Sequence, residues 1–390
     1  MKRIKVLHLI TRLIVGGAQE NTIYTALLLD SSEYMVDVIS GPQTGSEGSL
    51  IEEFEEQGGK LIIIPQLVRE ISPLNDFLAL WKLYRMMKRN RYDIVHTHSS
   101  KAGILGRFAA KMAGVPVIVH TIHGWSFHDH MPKLLKMLFV ELERMTASLS
   151  DALIVVTKLD ISKGIHEGIG KREQYHLIRS AIFLDKFDPS GHDRRKIRAE
   201  LGIPEDVLVV GNVGRFSPQK NPLTWVRVAD AIVKIIPNIR FLLVGDGPLK
   251  KQVFQMIETL ELKNKFIMTG IRRDVPRMLR AMDVFLLTSL WEGLPRVIPQ
   301  AMAMELPIVA NVADGTQEVI NHGETGFLCQ PNRISELASY CVRLLENPQE
   351  RIRMGEKGRQ YVMNEFDLKK MIEEIEDLYN KNLVKKGIRR

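Results

Sequence analysis

The sequence predicts an α/β protein made of two doubly wound domains, each a parallel sheet covered by helices, facing a central cleft. Three observations predict this. Short apolar runs rich in Val and Ile alternate with amphipathic stretches from end to end. The rhythm is interrupted once, by the polar segment DKFDPSGHDRRKIRAELGIPED at 185–206, and then restarts. Finally, the segments carrying Gly, His and Arg come directly after the apolar runs, at the carboxyl ends of strands, where sheets of this kind bind ligands.

In the first half the expected strands are IKVLHLI (4–10), MVDVIS (35–40), KLIII (60–64), DIVHTH (93–98), VPVIVHTI (115–122) and DALIVV (151–156). Each is apolar at successive positions, as a strand buried on both faces reads. Between them, stretches such as NDFLALWKLYRMMKRN space apolar residues by three and four, the helical period. The polar segment 185–206 carries two prolines, two glycines and a short basic helix, and reads as the link between domains. The second half then offers VLVVGNV (207–213), IRFLLVG (239–245), KFIMTG (265–270), DVFLLT (283–288), PIVA (307–310) and GFLC (326–329). Residues 1–187 are thus expected to form one domain and 188–367 the other, with a last helix over about 368–390 returning to the first.

Length and composition agree. The 390 residues suffice for two sizeable cores, with 45% hydrophobic and 26% charged residues. The net charge of +8 suits an anionic ligand or an anionic membrane surface. The two cysteines, Cys329 and Cys341, make no disulfide framework and no metal-type spacing, so a reducing cytoplasm is the expected compartment. The start, MKRIKVLHLI, lacks a cleavage site, and no window approaches the ~20 apolar residues of a spanning helix. The best candidate, LLKMLFVEL, is broken by Lys136 and Glu141.

The segment VGNVGRFSPQKNP offers Gly211 and Gly214 for a sharp turn at a strand end, then Arg215 and Lys220 five positions apart. Two cations there suit a diphosphate, Arg as a planar fork and Lys as a mobile point charge. The competing reading is two solvated cations beside a turn. In TSLWEGLPRVIPQAMA, the loop after a strand leads into a helix opening around Arg296. Free N–H groups at such a helix start favour an anion. Glu292 stands just ahead of them, where it either binds sugar hydroxyls or serves only the helix dipole. Pro299 falls among the first four helical residues, whose N–H groups are unpaired anyway.

In the first half, Gly16-Gly17 makes a close-approach loop feeding a helix, although turns alone explain most double glycines and no G-x-G-x-x-G follows a strand. Two histidine clusters end strands. One holds His96, His98 and Lys101; the other holds His120, His123, His128 and His130. His96 and His98 face the same side of their strand. His96 and His120, inside apolar strands, read as structural. His123-Gly124 sits where a strand gives way to a loop, the place for a catalytic group. No H-E-x-x-H or Cys/His spacing supports a metal, and none is expected.

Taken in order, GGAQ (16–19), DIVHTHSSKAG (93–103), TIHGW (121–125), VGRFSPQKNP (213–222), VGDGP (244–248), TGIRRDVPRML (269–279) and EGLPRVIPQAMA (292–303) resemble the retaining, nucleotide-sugar-dependent glycosyltransferases of the GT-B fold, specifically family 4. The resemblance covers nearly the whole chain. It implies that Gly16 and Gly17 approach the donor diphosphate and that His123 is the catalytic-site histidine near the transferred sugar. Arg215 and Lys220 would bind the diphosphate and stabilise the leaving group, and Gly270 and Ile271 would hold the nucleobase. Glu292 would grip donor-sugar hydroxyls, with backbone amides at Gly293, Leu294 and Pro295–Arg296 facing phosphate and sugar, although Pro295 has no N–H. The acceptor-side candidates are His98, Lys101 and Trp125.

One position departs from the family. The second acid of its E-x7-E motif, which usually grips the ribose, is here Gln300, with loss of a charge-assisted bond. What the resemblance implies is front-face, metal-independent transfer without cofactor. The donor is expected to be a UDP-sugar and the acceptor a glycan or lipid-linked molecule, in cell-surface polysaccharide assembly. No nucleic-acid partner is expected. The alternatives are a non-catalytic GT-B protein that binds or scaffolds, or a UDP-sugar epimerase of the same fold, which should carry more acid/base residues.

The first domain is further expected to meet an anionic membrane, at the inner face of the cell membrane. Between Lys82 and Lys111 the chain carries eight cations, including Arg85, Lys88, Arg89, Arg91, Lys101 and Arg107, against Asp93 alone. The competing reading is a solvated helix face.

Overall fold

A computed structural model describes residues 3–43, 48–128 and 131–389. The chain divides into two compact units, one of residues 1–180 with 369–390, the other of residues 181–368.

The first unit holds a seven-stranded parallel sheet. Its strands are β1 (Ile4–Leu9), β2 (Tyr34–Ser40), β3 (Leu61–Ile63), β4 (Ile94–His98), β5 (Val117–Ile122), β6 (Ala152–Val155) and β7 (Tyr175–Leu177), in the order β3-β2-β1-β4-β5-β6-β7. The register aligns Val6 with both Val36 and Ile94, and His96 with His8 and Val119. Every residue of β4 and β5 is buried, including the polar His96, Thr97, His98, His120 and Thr121 among their aliphatic residues. One core layer joins Leu7, Leu9 and Val95 to Ala79, Leu83 and Met87 of the helix Pro73–Asn90. That helix opens on a proline and closes on Arg91 in the left-handed region, whose N–H caps Met87. Strand order reverses between β1 and β4, so the segments after these strands flank the topological switch point.

The second unit holds β8 (Leu208–Val213), β9 (Ile239–Val244), β10 (Phe266–Gly270), β11 (Val284–Leu287), β12 (Ile308–Asn311) and β13 (Gly326–Cys329), all parallel, in the order β10-β9-β8-β11-β12-β13. Its core packs Trp225, Phe241, Leu286 and Leu344. The switch point lies between β8 and β11, whose carboxyl ends carry the Arg215–Lys220 and Glu292 segments.

Three expectations are corrected. Residues 181–187 belong to the second unit, not the first. The Ala181 carbonyl accepts from Arg296, Ile182 bridges to Asp367, and the Phe187 carbonyl accepts from Arg359. The stretch 185–206 is not simply a link. Its helix Arg194–Glu200 is seated by Arg198, buried and paired with Asp283 at 2.7 Å. β7 was not expected at all: YHL has no apolar run and sits at the sheet edge.

Among the described residues, no helix is long and apolar enough to cross a membrane.

Candidate active site

In the second unit, three strand ends are tied into one cradle. The Gly214 N–H donates to the Val244 carbonyl at 2.9 Å, and the Gly245 N–H donates to the Gly270 carbonyl at 2.8 Å. The Phe216 N–H reaches the Asp246 carbonyl at 2.9 Å. Gly245 is required here: its φ is +142, and a Cβ would stand 2.0 Å from the Gly214 carbonyl oxygen. Gly211, by contrast, is not the turn glycine its sequence position implied. It lies inside β8, and the room of its missing side chain is taken by Met282.

Lys220 and Glu292 meet from either side of the switch point in an ion pair between Nζ and Oε1. The Glu292 side chain is only 6% exposed and that of Lys220 21%, so the pair is largely dry. Gln219 holds the same loop by donating to the Trp291 carbonyl at 2.9 Å, and the Leu290 N–H returns a bond to Gln219. Arg215 is exposed on the β8 loop. Gly270 ends β10 with φ +70, and Ile271, 46% exposed, follows it.

The loop from Glu292 enters the helix Val297–Ala303, with Pro299 third in it. The N–H groups of Gly293 and Leu294 donate to no partner among the described residues. Leu294 and Pro295 are buried, and Gln300 is half-buried one turn further on. The Arg296 side chain does not serve the cradle: it is buried, with Nη2 donating to the Ala181 carbonyl at 2.8 Å.

In the first unit, Gly16 precedes the helix Gly17–Leu28 directly after β1. Its φ of 177 is ordinary extended backbone, and a Cβ there would meet only the flexible end of Gln19. No turn therefore demands this glycine. At the end of β4, Ser99 holds φ +60, a costly conformation for a residue with a side chain. Its hydroxyl is braced by Thr11 Oγ1 at 2.8 Å, which fastens the ends of β1 and β4 together.

His123, half-buried after β5, places Nε2 3.1 Å from Nδ1 of His98. Burial holds His98 and His96 well below the usual histidine range, as it does His120, so these rings are neutral. His120 is satisfied by Thr97 Oγ1 at 2.8 Å. His130 lies outside the described residues.

Two family models match the chain, "Glycosyl transferase 4-like domain" over residues 16–177 and "Glycosyl transferases group 1" over residues 193–361. The chain is 34% identical, over 98% of its length and 98% of the relative's, to the UDP-Gal:alpha-D-GlcNAc-diphosphoundecaprenol alpha-1,3-galactosyltransferase of Escherichia coli. It belongs to the family 4 glycosyltransferases.

A putative glycosyltransferase of Bacillus subtilis, EpsD, is 27% identical over 76% of this chain and 80% of its own. Among solved structures, Anabaena Alr3699/HepE in complex with UDP and glucose superposes with a TM-score of 0.83 at 24% identity, covering 97% of this chain and 100% of that one. The lipopolysaccharide glycosyltransferase WaaG gives 0.77 at 17% identity, covering 96% and 99%. The fold is GT-B.

The acceptor-side expectations for this glycosyltransferase need correction. His98 is fully buried and faces other histidines, so it presents nothing to an acceptor. Trp125 stacks on Phe127 at 5.4 Å and donates Nε1 to the Asp160 carbonyl, a packing role. Lys101 does border open space. It is pinned by Asp76 at 2.6 Å and lines a cavity of about 530 Å³ with Arg12, Arg69, Ile104, Leu138 and Phe139. Neither Arg12 nor Arg69 was singled out from the sequence, since each stands outside any recognised motif.

Proposed function

We propose that this glycosyltransferase moves a hexosyl unit, with retention, from a UDP-sugar to a saccharide carried on a lipid diphosphate, during assembly of a cell-surface polysaccharide at the cytoplasmic face of the membrane. The observation that carries the reading is the dry Lys220–Glu292 pair at the switch point, beside exposed Arg215 and the unengaged amides of Gly293 and Leu294. Leaving-group charge would develop between these cations and amides, where donors already in place need no reorganisation. Side chains then do a metal's work on the diphosphate, and no cofactor is involved. Glu292 fits the sugar hydroxyls, Gln300 the ribose, and Gly270 with Ile271 the base. The galactosyltransferase relative forms an alpha linkage from UDP-galactose, an alpha-linked donor, which supports retention. Its acceptor is diphosphate-linked, which supports the acceptor class.

The cavity beside Lys101 suits such an acceptor. It sets three cations against apolar walls from Ile104, Leu138 and Phe139, which matches a phosphate attached to a hydrocarbon chain. Around it, Ile71, Leu74, Phe77 and Trp81 are exposed at 70%, 72%, 65% and 48%, and Leu134 at 82%. With Lys82, Arg85, Lys88 and Arg89 exposed on the same helix, this face fits an anionic bilayer. Arg107 drops out of that cationic surface, because it is fully buried in a pair with Glu143 at 2.7 Å.

The test has two parts. UDP-sugars, and not GDP- or ADP-sugars, should raise the melting temperature, by about 2.7 kcal/mol of apparent stability at a hundredfold excess over Kd. UDP release should then require a lipid-diphosphate N-acetylhexosamine, persist in EDTA, and yield an alpha product. Preferential stabilisation by a GDP-sugar would refute the donor assignment, and nucleotide release without acceptor would refute transfer. Membrane contact predicts co-sedimentation with anionic vesicles at low salt that is lost at high salt, and absence of low-salt binding refutes it.

A further inference from the structure

We propose that His123, His98, His8, Tyr379, His96 and Thr121 form a single hydrogen-bonded chain whose direction sets which nitrogen of His123 carries the proton, with Tyr379 of the C-terminal helix as its central positioning residue. The proposal deepens the reading above and rests on it only in assigning His123 to the reaction.

The links are continuous. His123 Nε2 stands 3.1 Å from His98 Nδ1, and His98 Nε2 stands 3.0 Å from His8 Nδ1. His8 Nε2 meets the Tyr379 hydroxyl at 3.4 Å, the longest link. The same hydroxyl is 2.6 Å from His96 Nδ1, and His96 Nε2 is 2.6 Å from Thr121 Oγ1. The nitrogens of His8, His96 and His98 come within 4.8 Å of one another, close enough for a metal site. Yet all six of those nitrogens already have a partner inside the chain, so hydrogen bonding accounts for the cluster without an ion.

The electrostatics make the chain a two-state device. Burial pushes His8 down to about 3 and holds His96 and His98 well below their ordinary value, so each ring is neutral. A neutral imidazole has one donor nitrogen and one acceptor nitrogen, and the tyrosine has a single proton. Each interior member uses both its sites, so choosing one bond's direction chooses all the others. In one direction Thr121 donates to His96, His96 to Tyr379, Tyr379 to His8, His8 to His98 and His98 to His123, and all four histidines are Nδ1–H tautomers. In the other direction all four are Nε2–H. A reversal between two histidines would set two lone pairs or two protons face to face, and a reversal at Tyr379, with both histidines donating to its oxygen, would leave its buried O–H without an acceptor; either is an unsatisfied arrangement that costs heavily. The three buried tautomers are therefore locked together, and they set whether Nε2 of His123 accepts or donates; in a neutral His123, Nδ1 is then donor or acceptor accordingly. The count of protons is the same in both states, but passing between them breaks and forms an N–H or O–H bond at every member, and the proton given up at His123 Nδ1 is balanced by one taken up at Thr121 Oγ1, both exchanged with solvent.

The chain also explains the residues chosen. β1 and β4 pair with His8 opposite His96, which brings the two rings to 4.9 Å; His98 lies 4.3 Å from His96 and 5.4 Å from His123. Tyr379 reaches the cluster from the helix Leu368–Lys385 and is itself fully buried.

The experiment uses full-length enzyme labelled with 15N-histidine, in which two-bond 15N–1H spectra identify each tautomer. The wild type is expected to show His8, His96 and His98 neutral and in one shared tautomer, with the proton of the His98–His123 bond on the nitrogen that this tautomer dictates. Opposite tautomers at His98 and His123 overturn the proposal without any variant being made. Tyr379→Phe keeps the ring and removes the central hydroxyl. The His123 nitrogen shifts should then move toward a two-tautomer average, and turnover should fall about five- to tenfold at unchanged donor KM. Tyr34→Phe is the control: its hydroxyl bonds Asn380 on the same helix but lies outside the chain. It should move neither readout. Unchanged His123 shifts in Tyr379→Phe overturn the chain. Shifted signals with wild-type turnover keep the chain and overturn the assignment of His123 to the reaction.

Discussion

Replacing Lys220 by Met separates the two jobs of the Lys220–Glu292 pair. The first is structural. Glu292 is 6% exposed, and removal of its cation strands a carboxylate in a nearly dry site. Breaking a fully buried pair costs about 3–5 kcal/mol, and the 21% exposure of Lys220 admits water, so the cost here should fall to about 2–3 kcal/mol. The second job, on the function proposed above, is catalytic. A preorganised donor to the leaving group is worth about 2.7–4 kcal/mol, so turnover should drop about 10²- to 10³-fold. The double variant Lys220→Met/Glu292→Gln distinguishes the two. Without the stranded charge, stability should return to within about 1 kcal/mol of the wild type. Turnover should not return, because the cation is still missing. Urea unfolding gives the first quantity, and acceptor-dependent UDP release the second. If the double variant recovers turnover along with stability, the pair is only a structural clamp and the leaving-group assignment is wrong.

Other outcomes follow from the same geometry. Gln300→Glu should tighten donor binding by about 1 kcal/mol and Gln300→Ala should weaken it, as measured by calorimetry; unchanged affinity in the alanine variant would mean that the ribose lies elsewhere. Gly245→Ala drives a Cβ toward the Gly214 carbonyl from 2.0 Å, so the loop bearing Arg215 must shift; donor affinity should fall at least tenfold in a folded protein, and normal affinity would show that the loop gives way freely. Arg107→Met should cost about 3–5 kcal/mol by leaving Glu143 buried and unpaired, and Arg107→Met/Glu143→Leu should recover most of it in urea unfolding.

What the sequence disclosed and what it hid divide along a physical line. Twelve strands were legible because most are buried on both faces and carry a short run of aliphatic residues, and such runs are visible residue by residue, even where His and Thr follow as in β4. β7 was hidden because its three residues, YHL, make no aliphatic run, whereas β3, an edge strand of the same length, reads LII. Gly214, Arg215 and Lys220 drew notice because a strand end followed by Gly and a cation is a local pattern, whereas Gly245 did not, since its need for a missing side chain comes from the Gly214 carbonyl on a neighbouring strand end. Arg107 was counted with the local cations, although its place on another helix left its direction open, because a sequence shows a charge and not its partner: Glu143 lies 36 positions away and pairs with it inside the core. For the same reason His8 passed as one polar residue in an apolar strand. Its partners are 90 and 371 positions distant, and only the parallel register of β1 and β4 and the return of the last helix bring them together.

The strand-end cradle of the second unit and the histidine chain of the first prepare their polar side chains in opposite ways, and the chemistry proposed for each supplies a reason. In the second unit the groups are ionic: Lys220 is paired with Glu292, and Asp246 is held below the usual carboxylate range by its hydrogen bond from Lys250. Ions suit a diphosphate, whose charge is present before the reaction and grows during it. A cation already held by a carboxylate is positioned but not neutralised, since the ligand brings more negative charge than the single partner supplies. In the first unit the buried histidines are neutral, and burial keeps them so. A sugar carries no charge in its ground state, so a permanent cation beside it would oppose the positive charge that builds on the anomeric carbon. A neutral ring can donate to or accept from a hydroxyl without that penalty. A hydrogen-bonded chain fixes the direction of such a ring at no cost in charge, which an ion pair cannot do. On this reasoning, replacing a chain histidine by Lys or Arg should be more damaging to turnover than replacing it by Gln, even where both variants fold. The reverse order in acceptor-dependent UDP release, with stabilities matched, would remove the argument for neutrality.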